Sequence, residues 1–154
     1  SSFQDQQLKT IFHLYNKAPY FDLFYTELSD ILGKSQRYLH ELNIELIGWF
    51  CEKLGIHCRV IKSSSLGIET HKVNLLIDIC QELGADMYLS PPGSMDYIEA
   101  NNLFSVSNIK LRYQRFDHPE YSQLNGLFVP YLSTLDLLMN EGTAGLSIIR
   151  SGRK

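Results

Sequence analysis

Twice in this chain a helix-forming run meets a glycine, passes into a short apolar run and leaves through serine. Leu54-Gly55-Ile56 leads to Ser63-Ser64-Ser65, and Leu83-Gly84-Ala85 leads to Ser90. The glycine supplies the left-handed terminator that helices commonly use. The apolar runs Cys58–Lys62 and Ala85–Ser90 read as short buried strands. Between them Thr70 can cap a helix that carries Val73, Leu76, Ile77, Cys80 and Leu83 and is closed by Gly84. A strand, a helix and a strand joined this closely need a crossover, which makes the strands parallel and the connection right-handed. Ile109, Leu111 and Tyr113 alternate with Lys110, Arg112 and Gln114, so 109–116 reads as a third, half-exposed strand of the same sheet.

Upstream the period is helical. Leu8, Ile11, Phe12 and Tyr15 predict a first helix over 4–16, ended before Pro19. Phe21, Phe24, Tyr25, Leu28, Ile31 and Leu32 predict a second, stopped by Gly33. Ser35 can cap a third, with Leu39, Leu42, Leu46, Ile47, Phe50 and Leu54 on one stripe. Ser94 to Asn101 reads as a further helix. The expected fold is α/β: a helical N-terminal portion, then a small mostly parallel sheet flanked by helices. No linker or low-complexity stretch divides the chain. Residues 3–150 therefore read as one domain and 151–154 as a basic tail.

Charge and cysteine usage narrow the function classes. A net charge of −3 offers no concentrated basic surface, so a nucleic acid is not the expected partner. No window approaches the ~20 apolar residues of a membrane span, and no charged-then-apolar signal segment opens the chain. The cysteines, Cys51, Cys58 and Cys80, form no C-x-x-C pair and fall in apolar patterns. They fit a reducing cytosol and are expected to be buried, reduced and inert. The expected location is cytoplasmic.

Several short motifs fail on their own chemistry. Gly33-Lys34-Ser35 ends like a phosphate-binding loop, but position 28 is Leu where the cradle needs glycine. Gly145-Leu146-Ser147 opens a nucleophile elbow that Ile149 does not close, and Ser107 with Lys110 falls beside an alternating strand rather than at a helix start. His57 and Cys58 are adjacent, so on a strand they point to opposite faces and do not share a metal. The cofactor is left open, and no metal site is expected.

In open α/β sheets ligands settle beyond the carboxyl ends of the strands. Here those ends are Ser63-Ser64-Ser65, Ser90-Pro91-Pro92-Gly93-Ser94 and Asp117-His118. Ser64 and Ser65 precede a helix that starts near Thr70-His71-Lys72, and a helix N-terminus favours anions. Lys72 is misplaced there for helix stability. It would be explained by a bound phosphate or carboxylate, although a solvated lysine on an ordinary capped helix accounts for the same residues. Ser90, Gly93 and Ser94 could offer hydroxyls and N–H groups to an anion. Pro91 removes a donor from that turn, and a rigid Pro-Pro corner explains it equally. His118 is suited to moving a proton near neutral pH, and Tyr121 and Gln123 beside it suit a sugar or nucleoside. A His-Pro turn start with Tyr121 in the core is the plainer alternative.

The C-terminal third joins His118-Pro119, Tyr121-Ser122-Gln123 and Phe128-Val129-Pro130 to Leu132-Ser133-Thr134-Leu135-Asp136-Leu137-Leu138 and Asn140-Glu141-Gly142. With Ser63-Ser64-Ser65 and the Leu83–Ser90 run upstream, these strings resemble the WbqC-like family. Its members are usually encoded among bacterial O-antigen and capsule biosynthesis genes. The resemblance runs from about Ile11 to about Ile148, and Tyr88, Ser90, Tyr97, His118, Tyr121, Gln123, Ser133, Asp136 and Gly142 carry it. Asp136 follows Ser133 at capping-box spacing, so both are read as structural. The family also implies an additional N-terminal segment, which makes this chain look like a piece of a longer protein. The implied function is a step in making or modifying a surface-polysaccharide sugar, by acyl or aminoacyl transfer to an activated amino sugar. Its ligand would be a phosphate-bearing small molecule such as a nucleotide-sugar, with His118 handling protons and Tyr97 in the ligand site. The competing expectation is a non-catalytic module that binds a nucleotide-sugar or a partner enzyme. Homo-oligomerisation is left open.

Overall fold

Helices α1 (Phe3–Tyr15), α2 (Phe21–Gly33) and α3 (Leu39–Lys53) open the chain, and α4 (Lys72–Glu82) leads into strand β1 (Met87–Ser90). Helix α5 (Met95–Glu99) precedes strand β2 (Lys110–Tyr113), and α6 (Thr134–Glu141) and α7 (Gly145–Ser151) close the fold. These elements belong to a computed structural model that describes residues 3–124 and 126–154. The class is α/β: helices flanking a small parallel sheet. The chain divides into two compact units, Ser1–Cys58 with His118–Arg153, and Arg59–Asp117 with Lys154.

The first unit is all helical, and α2 forms its spine. Phe21, Phe24, Leu28, Ile31 and Leu32 recur at helical spacing and are all buried. Leu138 and Met139 of α6 pack into the same cluster at 0% exposure, which stabilises by about 2 kcal/mol for each such side chain. Trp49 meets Phe24 edge-on with centroids 6.1 Å apart, and its Nε1–H donates to Glu27 Oε2 at 3.0 Å. The indole can therefore be buried without an orphaned donor.

In the second unit β1 and β2 pair in parallel, with Met87 opposite Lys110 and Ser90 opposite Tyr113. Lys110 and Arg112 are exposed while Leu111 and Tyr113 pack inward, as the alternation predicts. Val73, Ile77 and Cys80 of α4 meet Ile98, Phe104 and Ile109 in the core of this unit. The Tyr88 and Phe104 rings stack at 5.6 Å.

Both glycine terminators form. Gly55 (φ +66°) lets Ile56 N–H reach Cys51 O at 2.7 Å and Gly55 N–H reach Glu52 O at 3.0 Å. Gly84 (φ +64°) does the same with Ala85 N–H to Cys80 O at 2.8 Å and Gly84 N–H to Gln81 O at 3.0 Å. These are the paired bonds of a Schellman end.

Three local expectations are corrected. The segment Cys58–Lys62 forms no strand, so the parallel pair is β1 with β2 rather than Cys58–Lys62 with β1. Arg59 and Lys62 bracket only two apolar residues, and Val60 is 54% exposed, so neither face of the run has an apolar stripe to bury. Helix α3 begins at Leu39 rather than at a Ser35 cap, and its buried stripe centres on Trp49 while Leu39 and Ile47 stay exposed. Thr70 does not cap α4: its hydroxyl donates to Asp78 Oδ2 at 2.6 Å, and His71 occupies the cap without a side-chain bond.

The cysteines follow from this. The expectation of three buried cysteines holds for Cys80 alone: Cys51 is half-buried, and Cys58, on the unpaired segment, is exposed. Burial, with a smaller contribution from the neighbouring Cys58, pushes the Cys51 thiol up. A brief pulse of N-ethylmaleimide on the native protein should therefore label Cys58 first and leave Cys80 unmodified until unfolding. Early labelling of Cys80 in the peptide mass map would contradict this packing.

Candidate functional site

The predicted ligand residues divide between the two units. Ser64, Ser65, Lys72, Ser90, Gly93, Ser94 and Tyr97 lie in the second; His118, Tyr121 and Gln123 lie in the first.

In the second unit, Ser63–Ser65 forms a 3₁₀ turn in which Ser65 Oγ donates to Lys62 O at 2.7 Å. After β1 the chain turns through Pro91 into a 3₁₀ segment, Pro92–Ser94. Ser94 Oγ–H donates to Pro91 O at 2.7 Å. Its single proton is then used, so in the 2.6 Å contact between Ser90 Oγ and Ser94 Oγ it is Ser90 that donates. Ser90 is 1% exposed. The two hydroxyls thus tie the turn to itself, and the two prolines remove two backbone donors from it. Gly93 stands with open space where a Cβ would lie.

Lys72 and Tyr97 are brought together. They line a cleft of about 330 Å³ whose wall also holds His71 and Asn74 from the start of α4 and Asn101 beyond α5. The serines are not among the lining residues. Lys72 sits at the first position of α4 with φ +57°. No side chain caps this end, so the first-turn N–H groups lack a side-chain acceptor while a lysine supplies a full positive charge. Tyr97 is 46% exposed and offers a ring face. A cation, uncapped helix donors, side-chain amides and an aromatic face suit an anionic group joined to a flat or polyhydroxylated body.

In the first unit His118, Tyr121 and Gln123 belong to one cluster. His118 Nδ1 lies 2.9 Å from Pro119 O. A carbonyl can only accept, so Nδ1 carries a proton and donates in this contact. The ring packs against Tyr131 at 4.9 Å, Phe128 at 5.6 Å and Tyr121 at 6.2 Å. Gln123 staples its loop, donating to Val129 O at 3.0 Å and accepting from Val129 N–H at 2.8 Å.

The centre of this cluster is a residue that sequence reasoning treated as a cap. Asp136 is 5% exposed, and its Oδ2 accepts from the Tyr121 hydroxyl at 2.8 Å and from Gln123 Nε2 at 3.1 Å. Ser133 does cap α6, accepting from Leu135 N–H at 3.2 Å. The Asp136 carboxylate has turned inward instead of closing the box. Tyr15 of α1 lies near enough to feel the carboxylate, and buried Asn140 donates to the Asp136 backbone carbonyl at 2.8 Å. Burial first, then Asp136, pushes both Tyr15 and Tyr121 up to about 12, so both remain neutral donors near pH 7. The available signal was an acid inside the apolar run Leu135–Met139, where a solvent-facing cap is poorly accommodated.

Among the described residues, no three His, Cys, Asp or Glu side chains gather at metal-binding range. No helix among them is long and apolar enough to cross a membrane.

Comparison with known proteins identifies the family. A protein of Mycobacterium tuberculosis, the uncharacterized protein Rv1507c, is 31% identical over 124 residues, 80% of this chain and 53% of its own length. The chain thus spans about half the length of the curated relative it matches. No solved structure matches. The model of the WbqC-like protein family matches residues 1–148. The resemblance carried by the His118–Gly142 strings is therefore one of descent, and the chain belongs to the WbqC-like protein family.

Proposed function

We propose that the chain binds a phosphate-bearing activated sugar, such as a nucleotide-sugar, in the cleft between Lys72 and Tyr97. One observation carries this reading: a lysine, an uncapped helix start and an exposed tyrosine share one cleft of about 330 Å³. The phosphate would take the N-terminus of α4 and Lys72, and the base or sugar would lie on Tyr97. Ser64, Ser65, Ser90, Gly93 and Ser94 would shape the turns around it rather than supply the principal charge. The biological setting, making or modifying a bacterial surface-polysaccharide sugar in the cytoplasm, rests on the family resemblance. The unpaired cysteines fit that compartment. For the reaction we assign acyl or aminoacyl transfer to an activated amino sugar.

A non-catalytic binding module is the second reading. It is favoured by the closure of the Ser90, Ser94 and Ser65 hydroxyls on protein partners. Ligand-observed NMR against a panel of nucleotide-sugars and the matching free sugars addresses the shared claim. Saturation transfer should appear for the phosphorylated members and weaken at least tenfold in Tyr97→Ala. Transfer to the free sugars alone, unchanged in Tyr97→Ala, would remove the phosphate from the reading. Turnover of the sugar by wild type, rather than binding alone, separates enzyme from module.

A further inference from the structure

We propose that the cleft over Asp136 in the first unit is a binding site for a small organic amine, whose ammonium group is held by the Asp136 carboxylate. The proposal stands on this unit alone and is independent of the phosphate reading.

The cleft measures about 250 Å³ and has apolar walls from Leu14, Leu124, Val129 and Leu132, with Asp136 lining it beside Tyr15 and Gln123. Val129 and Leu132 are 49% and 44% exposed and form an open rim. Such a volume admits a single sugar or a short alkyl body, at the small end of ligand sites.

Among the described residues, Asp136 has donors but no counter-ion. The Tyr121 hydroxyl and the Gln123 amide reach its Oδ2, and the Tyr15 phenol lies near enough to feel the carboxylate. All three groups are neutral. Among the described residues, none of the ion pairs within 4 Å includes Asp136. Its place in the first turn of α6 supplies a partial positive charge but not a full one. Glu141 lies near enough to act on Tyr121 electrostatically, and this adds to the negative field. A carboxylate taken out of water without a cation is costly, and a ligand cation entering the same cleft would offset that cost. A neutral ligand gains no such return, and an anion is repelled. The four-fold apolar wall then selects a cation with a carbon body over a hydrated inorganic ion.

The test is calorimetric titration of the full chain near pH 7 with D-glucosamine, n-butylamine and N-acetyl-D-glucosamine. The first two carry an ammonium; the third has a sugar body but no charge. At least one amine should bind at least tenfold more tightly than N-acetyl-D-glucosamine. That affinity should fall at least tenfold in Asp136→Asn, which keeps the shape and removes the charge. It should fall equally in Leu132→Trp, which fills the rim and leaves the carboxylate network intact if Asp136→Asn does not fold. Binding by glucosamine alone assigns a sugar body, and binding by butylamine alone an alkyl one; both support the site. Heat from neither amine up to about 10 mM, equal affinity for the neutral sugar, or an affinity unchanged in Leu132→Trp overturns it.

Discussion

Gly142→Ala should lower the stability of the first unit by about 3 kcal/mol. Gly142 holds φ +57° and ψ −132°, a combination that side-chain-bearing residues strongly avoid. A Cβ built there would stand 2.5 Å from Cε1 of Tyr20. The ring cannot easily retreat, because Tyr20 N–H is bonded to Met139 O at 3.0 Å and the ring lies against Phe24. Strain and overpacking therefore add at one position. Gly93→Ala is the internal control: its φ is ordinary, nothing lies within 4 Å of its Cβ, and its unfolding midpoint should not move. Chemical denaturation of the two variants checks the pair. A wild-type midpoint for Gly142→Ala would mean that Tyr20 is not packed where it is described.

Asp136→Ala should cost a similar amount, about 3 kcal/mol, through a different term. The carboxylate is the acceptor for Tyr121 and Gln123, so its removal leaves two part-buried donors without their partner. The same network sets a pH dependence. Both tyrosines are raised from 10.0 to about 12, by burial first and then by Asp136. A group whose folded value is raised binds its proton more tightly in the native state. The stability it contributes is complete below pH 10.0 and is lost as pH rises towards about 12. Denaturant midpoints measured across this window should fall in wild type and fall less in Asp136→Asn. A wild-type midpoint flat across the window would show that the phenols are not held against the carboxylate.

The parts legible in the sequence were those governed by local rules. The face of α2, Phe21 through Leu32, follows from spacing alone, and Gly55 and Gly84 terminate their helices because only glycine takes that backbone freely. The alternation at 109–113 likewise identifies β2 and its inward face. What failed depended on partners distant in sequence. Cys58–Lys62 reads as a short strand in isolation, but neither of its faces has an apolar stripe to bury and it pairs with no described strand. Trp49 enters the core because Glu27, 22 residues away, accepts its N–H. Asp136 was hidden for the same reason. Its spacing from Ser133 fits a cap, and only the fold brings Tyr15 and Tyr121 to the carboxylate. Lys72 and Tyr97 show the converse. One was singled out by its misplaced charge and the other by family resemblance, and the fold of the second unit brings both to one cleft.

That cleft is the central claim, and the affinity of one nucleotide-sugar tests it most directly. Uridine diphosphate N-acetylglucosamine titrated into wild type and Lys72→Ala, at low and high salt, separates charge from shape. Loss of Lys72 should weaken binding at least tenfold, about 1.4 kcal/mol, and should flatten the salt dependence seen in wild type. Equal affinities in the two proteins, with the same response to salt, would contradict the placement of a phosphate beside Lys72.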